Sequence, residues 1–221
     1  MPRPRGGYRV GELTVPSVTT VISRYKDSGP LLYWAFEQGK AAERGEIESL
    51  YDKRDEAADA GTLAHQLVQA HLESSPAPDL SEYPEDIAAQ AMQGYENYLK
   101  WERSSTITIL YQEIPLVSST YGYGGTIDAV GTDVDGNMII IDWKTSNSVY
   151  LDYRIQLAAY GHLWRENYPG QPITGGYHLC RFSKSFGDFS HHYWSDLSGE
   201  WEYFLILFEA FKREKILKKR S

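Results

Sequence analysis

Apolar residues in the first half of the chain recur every three to four positions. In the second half they alternate or run together. A spacing near 3.6 puts side chains on one helical face, and a spacing of two puts them on one face of a strand. Val18, Val21 and Ile22 behind Ser17 predict a short helix with the Ser17 hydroxyl as its cap. Further helices are expected over 31–50, with a break near Gly39 or Gly45, over 60–73 and over 84–103. In the last, Ile87, Ala91, Tyr95, Tyr98 and Trp101 share a face. The run 74–78, rich in Ser and Pro, reads as a loop.

Past residue 105 the period changes. Segments 106–117, 125–132 and 138–144 read as strands of a meander, the last two joined by the turn signal Asp135-Gly136-Asn137. A helix over 150–168 stops at Pro169-Gly170, strands follow over 175–181 and 188–194, and a helix over 198–219 closes the chain. Trp201, Phe204, Leu205 and Phe208 form its apolar stripe. The order predicts an α/β fold with a mixed central sheet flanked by helices. An N-terminal helical region, 1–104, would precede a core, 105–221, in one compact domain.

The strand pattern also locates chemistry. Asp142 and Lys144 are two apart, so a strand points both to the same face. They follow the apolar run Met138-Ile139-Ile140-Ile141, which predicts a strand buried on both faces. Charges at the end of such a strand are costly unless they serve a purpose. Asp128 lies on the preceding strand, across a hairpin, where it can meet Asp142. Two carboxylates and a lysine converging suit metal-assisted phosphodiester hydrolysis, with Mg²⁺ or Mn²⁺ between the acids. An isolated Asp-X-Lys, by contrast, is usually a surface pair on an amphipathic strand.

Composition narrows the picture further. The chain has 221 residues, 42% of them apolar, and a net charge of −8. That charge argues against a simple electrostatic nucleic-acid binder. It is unevenly spread, with seven acids and three bases over 43–59 and six bases and one acid over 212–220. The longest apolar run, 203–208, is far short of a membrane span, which takes roughly 18 residues. The basic, Gly-rich start has no apolar stretch behind it, so a secretory signal is not expected. Cys180 is the only cysteine, which excludes a disulfide, a cysteine zinc site and a four-cysteine iron–sulfur cluster within the chain.

Three segments together resemble the PD-(D/E)XK nuclease superfamily: Gly125-Thr126-Ile127-Asp128, Asp142-Trp143-Lys144-Thr145-Ser146 and Gln156-Leu157-Ala158-Ala159-Tyr160. More narrowly they are similar to its RecB-type exonuclease branch, in which a Gln-x-x-x-Tyr motif follows the catalytic lysine. Gln156 and Tyr160, four apart, share one helical face. Gly61-Thr62-Leu63-Ala64-His65 is similar to that branch's Gly-x-x-x-His segment. The strongest likeness spans 113–160. Small size, the motif set and the missing cysteines are similar to phage-encoded exonucleases and to the mitochondrial genome-maintenance exonuclease.

The resemblance implies a restriction-endonuclease-like core and a set of roles. Asp128, Asp142, His65 and the Trp143 backbone carbonyl would hold Mg²⁺ or Mn²⁺. Glu113 would be the strand acid preceding the Gly-x-x-Asp segment, and Lys144 would position the attacking water. Gln156 and Tyr160 would orient the lysine or the DNA strand, with Thr145 and Ser146 nearby on the substrate side. The expected substrate is DNA, single-stranded or with free ends, and a recombination or replication protein is a possible partner. A cytoplasmic location is expected, with a mitochondrial one left open. Alternatives are an endonuclease on the same core, a non-catalytic DNA-binding accessory protein of recombination or repair, and a metallohydrolase that is not a nuclease.

Weaker signals complete the reading. Tyr121 and Tyr123 flank Gly122 and are stacking candidates for single-stranded bases. Arg24, Lys26, Arg154, Arg181 and Lys184 are phosphate candidates, although ordinary surface solvation predicts the same residues. His191 and His192 lack a placed carboxylate and read as structural.

Overall fold

The computed structural model describes residues 4, 6–26, 29–46, 52–183 and 188–219. A five-stranded sheet is built from β3 (Thr108–Ser118), β4 (Tyr123–Thr132), β5 (Met138–Thr145), β6 (Ile173–Phe182) and β7 (Phe189–Trp194). The strands lie in that spatial order. β3, β4 and β5 form the antiparallel meander that the alternating pattern predicts. β5 and β6 pair in parallel across the helix α5 (Leu151–Asn167), and β7 returns antiparallel. The sheet is therefore mixed and flanked by helices, as expected.

Each face of the sheet carries its own apolar core. On one face α1 (Val18–Arg24), α5 and α6 (Ser198–Lys218) pack against Ile127, Val130, Ile140 and Leu179. On the other, α3 (Asp52–Glu73) and α4 (Glu85–Ser104) pack against Ala129, Ile139, Ile141, Trp143, Cys180 and Phe182. Neighbouring residues of β5 serve opposite cores, which is why that strand reads as an unbroken apolar run. The first-half helices α3 and α4 bury their stripes on the sheet itself.

Several local signals hold. Ser17 caps α1, its hydroxyl accepting the Thr20 N–H at 3.0 Å. The helix α2 (Gly29–Glu43) runs through Gly39 without a break and stops before Gly45, whose φ is +73°. There the Glu46 and Gly45 N–H groups donate to the Ala41 and Ala42 carbonyls, an arrangement that a left-handed residue permits. The expected end of that helix, 47–50, lies outside the described residues.

The sequence pattern gives no sign of the small hairpin of β1 (Tyr8–Val10) and β2 (Leu13–Val15). Three-residue strands are too short to show a period. This hairpin lays the Tyr8 ring on Gly124, where any Cβ would stand 2.4 Å from the ring. The Tyr8 hydroxyl pairs with the Thr126 hydroxyl at 2.8 Å, bracing the start of β4.

Candidate active site

The middle of β4 carries Asp128, and the adjacent end of β5 carries Asp142 and Lys144. The register pairs Ala129 with Ile141, which sets Asp128 opposite Asp142 one step further along. Asp128 is 2% exposed and Asp142 fully buried. The Trp143 N–H donates to Asp128 Oδ2 at 3.0 Å. The Lys144 ammonium stands 2.5 Å from Asp142 Oδ2 and 3.5 Å from the Trp143 carbonyl. That carbonyl, a candidate metal ligand, faces the lysine here.

Glu113 on β3 falls between the pairs Gln112–Ala129 and Ile114–Ile127, and so opposite Asp128. Its φ is +48°, a left-handed backbone shared among described non-glycine residues only with Ser74. Such a conformation costs on the order of 1–3 kcal/mol and concentrates at functional sites.

Asp128, Glu113 and Lys144 do not sit at ordinary pKa values. Burial pushes the Asp128 carboxyl well above its usual range, and the neighbouring Asp142 charge adds to this. Glu113 is raised by burial, then by Glu73 and Asp142. Burial works against the Lys144 ammonium, but Asp142 and Asp128 outweigh it and hold its pKa up. The lysine therefore stays charged at neutral pH.

Helix α5 fixes the second carboxylate. The Gln156 side-chain amide donates to Asp142 Oδ1 at 3.2 Å and to the Tyr160 hydroxyl at 2.8 Å. Both residues are buried, and Gln156 is turned to Asp142. They form a relay that holds Asp142. Burial, then Asp128 and Asp142, raise the Tyr160 phenol far above its usual pKa, so it remains neutral.

Helix α3 brings His65 over the same strands. Its ring stacks near Trp143, centroids 6.5 Å apart. Burial, then the Lys144 charge, holds its pKa down to about 4. At pH 7 it is the neutral imidazole that ligates metals. His65, Gln69, Gln112, Glu113, Asp128 and Trp143 line a cleft of about 10 Å³, room for one water-sized occupant. Gln69 and Gln112 carry no motif, and nothing in the sequence marks them.

Three substrate-side candidates have partners within the fold. Tyr123 is fully buried and its hydroxyl donates to the Ala159 carbonyl at 3.0 Å, so it offers no ring to a base. Ser146 is buried with its hydroxyl on the Ser148 carbonyl at 2.7 Å. The Thr145 hydroxyl is bound to the Gly61 carbonyl. Tyr121 keeps 42% of its surface exposed, edge-on to Trp201. The phosphate candidates are matched with acids: Arg24 with Glu214, Lys26 with Asp152 at 3.2 Å, Arg154 with Glu200, and Arg181 with Asp188 at 2.6 Å. Lys184 lies outside the described residues. His191 pairs with His178 at 2.8 Å and lies tilted against Trp101.

The donor set can be tested against a divalent cation. Among the described residues, no three His, Cys, Asp or Glu side chains stand together as a ready-made cage. Yet Asp128 Oδ1 and Glu113 Oε2 are buried with no hydrogen-bond partner, and Asp142 Oδ2 meets only the Lys144 ammonium. Buried anionic oxygens left without donors are what a hard cation satisfies. The residues fit the group.

The chain is thus an α/β domain whose mixed sheet carries buried acids on two adjacent strands with a lysine beside them. The model of the PD-(D/E)XK nuclease superfamily matches residues 30–192, and the chain belongs to that superfamily. Three solved structures are similar in part. One is a protein of Eubacterium rectale named as a candidate exonuclease, at 17% identity and TM-score 0.46, with 72% of this chain and 66% of that one covered. Another is a repair endonuclease from Pyrococcus abyssi, at 21% identity and TM-score 0.25, with 47% and 40% covered. The third is EndoMS in a complex with double-stranded DNA, at 21% identity and TM-score 0.25, with 39% and 32% covered. The chain thus spans less than two thirds of each of these proteins. No curated protein matches it.

Proposed function

We propose that the protein is a divalent-metal-dependent deoxyribonuclease of the RecB-type branch, an exonuclease acting on single strands or DNA ends. The observation that carries this reading is the meeting of Asp128, Asp142 and Lys144 on adjacent buried strands, with carboxylate oxygens lacking donors. Asp128, Asp142, Glu113 and His65 would hold Mg²⁺ or Mn²⁺. Bound there, the cation would polarise the phosphate and acidify a water.

The chain's own groups do the rest. Trp143 N–H holds one carboxylate and Gln156, backed by Tyr160, holds the other, so neither must reorganise during the reaction. Lys144 keeps its proton and presents positive charge where the phosphate gains negative charge. In the hydrolysis the water oxygen bonds to phosphorus, the bond to the leaving oxygen breaks, and the water's proton ends on that oxygen. The exonuclease direction rests on the likeness of the motif set to RecB-type enzymes. The test is purified protein with Mg²⁺ or Mn²⁺ on end-labelled linear single strands, blunt duplexes and closed circles. Faster loss of linear single strands is expected. Rapid cutting of circles would replace the exonuclease with an endonuclease, and metal-independent binding with no cutting would favour an accessory protein. Among the described residues no helix is long and apolar enough to cross a membrane. A cytoplasmic location and a recombination or replication partner belong to the same proposal.

A further inference from the structure

Beside the catalytic cleft lies a second, larger cavity of about 230 Å³, between the C-terminal ends of α3 and α4 and the start of β3. Its walls include Leu72, Trp101, Glu102, Ser105, Ile109 and Gln112. Leu72 and Gln112 also line the catalytic cleft. The Gln112 amide donates to the Leu72 carbonyl at 3.3 Å, tying β3 to α3 at the junction. From His65 to Leu72 is seven residues of helix, a rise of about 10 Å. The cavity thus opens within a nucleotide's reach of the buried acids.

Its chemistry selects its occupant. Trp101 offers an aromatic wall, held by Phe189 at 5.7 Å and His191 at 5.0 Å between centroids. Leu72 and Ile109 offer apolar surface. Among the described residues lining the cavity, the only charged side chain is the Glu102 carboxylate, which repels phosphate. That carboxylate accepts from the Tyr98 hydroxyl at 3.2 Å and meets His71 Nε2 at 2.8 Å. A carboxylate has about four acceptor sites, so about two remain. A flat, uncharged ring bearing N–H donors satisfies every wall.

We infer that this cavity receives an unstacked nucleobase of the strand being cut, favouring the amino-bearing bases cytosine, adenine and guanine over thymine. The inference rests on the nuclease reading. A base held there would fix the register of the strand against Asp128 and Lys144. It would also supply affinity that the net charge of −8 does not supply through phosphates. Stacking on an aromatic wall and a carboxylate accepting an exocyclic amine are ordinary modes of base recognition.

The test is a scan of single-stranded oligonucleotides in Mn²⁺, each with one nucleotide replaced by an abasic unit, with the first cut timed. One register should raise KM about 10-fold or more, and the others should change it little. Thymine at that register should be cut with a higher KM than cytosine. Ser105→Phe, which puts a ring into the cavity, should raise KM for the intact strand to about the abasic level and abolish the register effect. Equal KM at every register of the wild-type scan would overturn the base pocket and leave the nuclease standing, with no variant needed. No cutting of any strand in Mg²⁺ or Mn²⁺ would instead remove the nuclease reading and the pocket with it.

Discussion

The Thr145 hydroxyl donates to the Gly61 carbonyl at 3.0 Å, joining the end of β5 to the helix that carries His65. The Thr145 side chain lies so close to Gly61 that a Cβ at position 61 would stand 1.8 Å from Thr145 Cγ2. Glycine costs a helix interior about 0.5–1 kcal/mol relative to alanine, and here the close crossing explains its presence. One turn later His65 reaches Trp143.

Gly61→Ala should therefore destabilise the fold by about 1–3 kcal/mol and lower the cutting rate, because α3 must lift from β5. Thr145→Ser removes the clashing methyl group and keeps the hydroxyl. Adding it to Gly61→Ala should recover part of both losses. Chemical denaturation and rate measurements on the four proteins form the cycle, and strictly additive effects would refute the contact as the cause.

Lys144→Ala should cut turnover by about 10²-fold or more, as removal of one preorganised charge does. Lys144→Arg should not restore it, since a planar guanidinium cannot replace a compact ammonium 2.5 Å from Asp142. Wild-type turnover in either variant would show that the active site is elsewhere.

Gln156→Leu should lower turnover about 10–100-fold, because it frees the Asp142 carboxylate it now holds. Tyr160→Phe should cost less, since it removes only the acceptor behind Gln156. The order of the two effects is the readout. A larger loss in Tyr160→Phe would mean that Tyr160 acts directly rather than through Gln156.

Much of this arrangement was legible in the chain. The apolar run 138–141 fixed β5 as a strand buried on both faces, so Asp142 and Lys144 stood out as charges needing a purpose. Spacing gave less away where contacts are long-range. Tyr123 reads as a stacking candidate, yet the returning α5 and α6 bury it. Glu113 reads as a strand residue, yet its backbone is left-handed. Helix α3 begins at Asp52, eight residues before its apolar pattern starts, because residues 52–59 are mostly charged and show no period. The acids that neutralise Arg24 and Arg154 lie 190 and 46 residues away, beyond any local pattern.

Acid should weaken the fold through its buried histidines. Burial, then His191, holds His178 down to about 4, and burial, then Arg165, holds His162 down to about 4. In the unfolded chain both titrate near 6.5. As pH falls below 6.5 the unfolded chain binds protons first, so stability is whole above that value and drains away toward pH 4. For His178, 8% exposed, the loss is on the order of 3 kcal/mol. Urea titrations at pH 7.5, 5.5 and 4.5 should show the decline, and His178→Gln should flatten it. An unchanged slope in that variant would place the proton uptake elsewhere.

Asp128 shows the opposite sign and separates stability from function. Burial and the Asp142 charge raise its pKa, so ionising it costs more in the folded chain than in the unfolded one. Without a cation, stability should fall as pH rises above about 4, where the unfolded aspartate gives up its proton first. Asp128→Asn removes that cost while keeping an oxygen for the Trp143 N–H. In metal-free buffer at pH 7 the variant should be more stable than wild type, on the order of 1–3 kcal/mol, and the advantage should fade by about pH 4. Mn²⁺ should raise the melting temperature of the wild type and leave the variant's nearly unmoved, since binding to the folded state alone is what stabilises. The variant should also cut no DNA. If Asp128→Asn proved less stable than wild type in metal-free buffer at pH 7, the buried carboxylate would already be satisfied within the fold. The case for a cation between Asp128 and Asp142 would then fail.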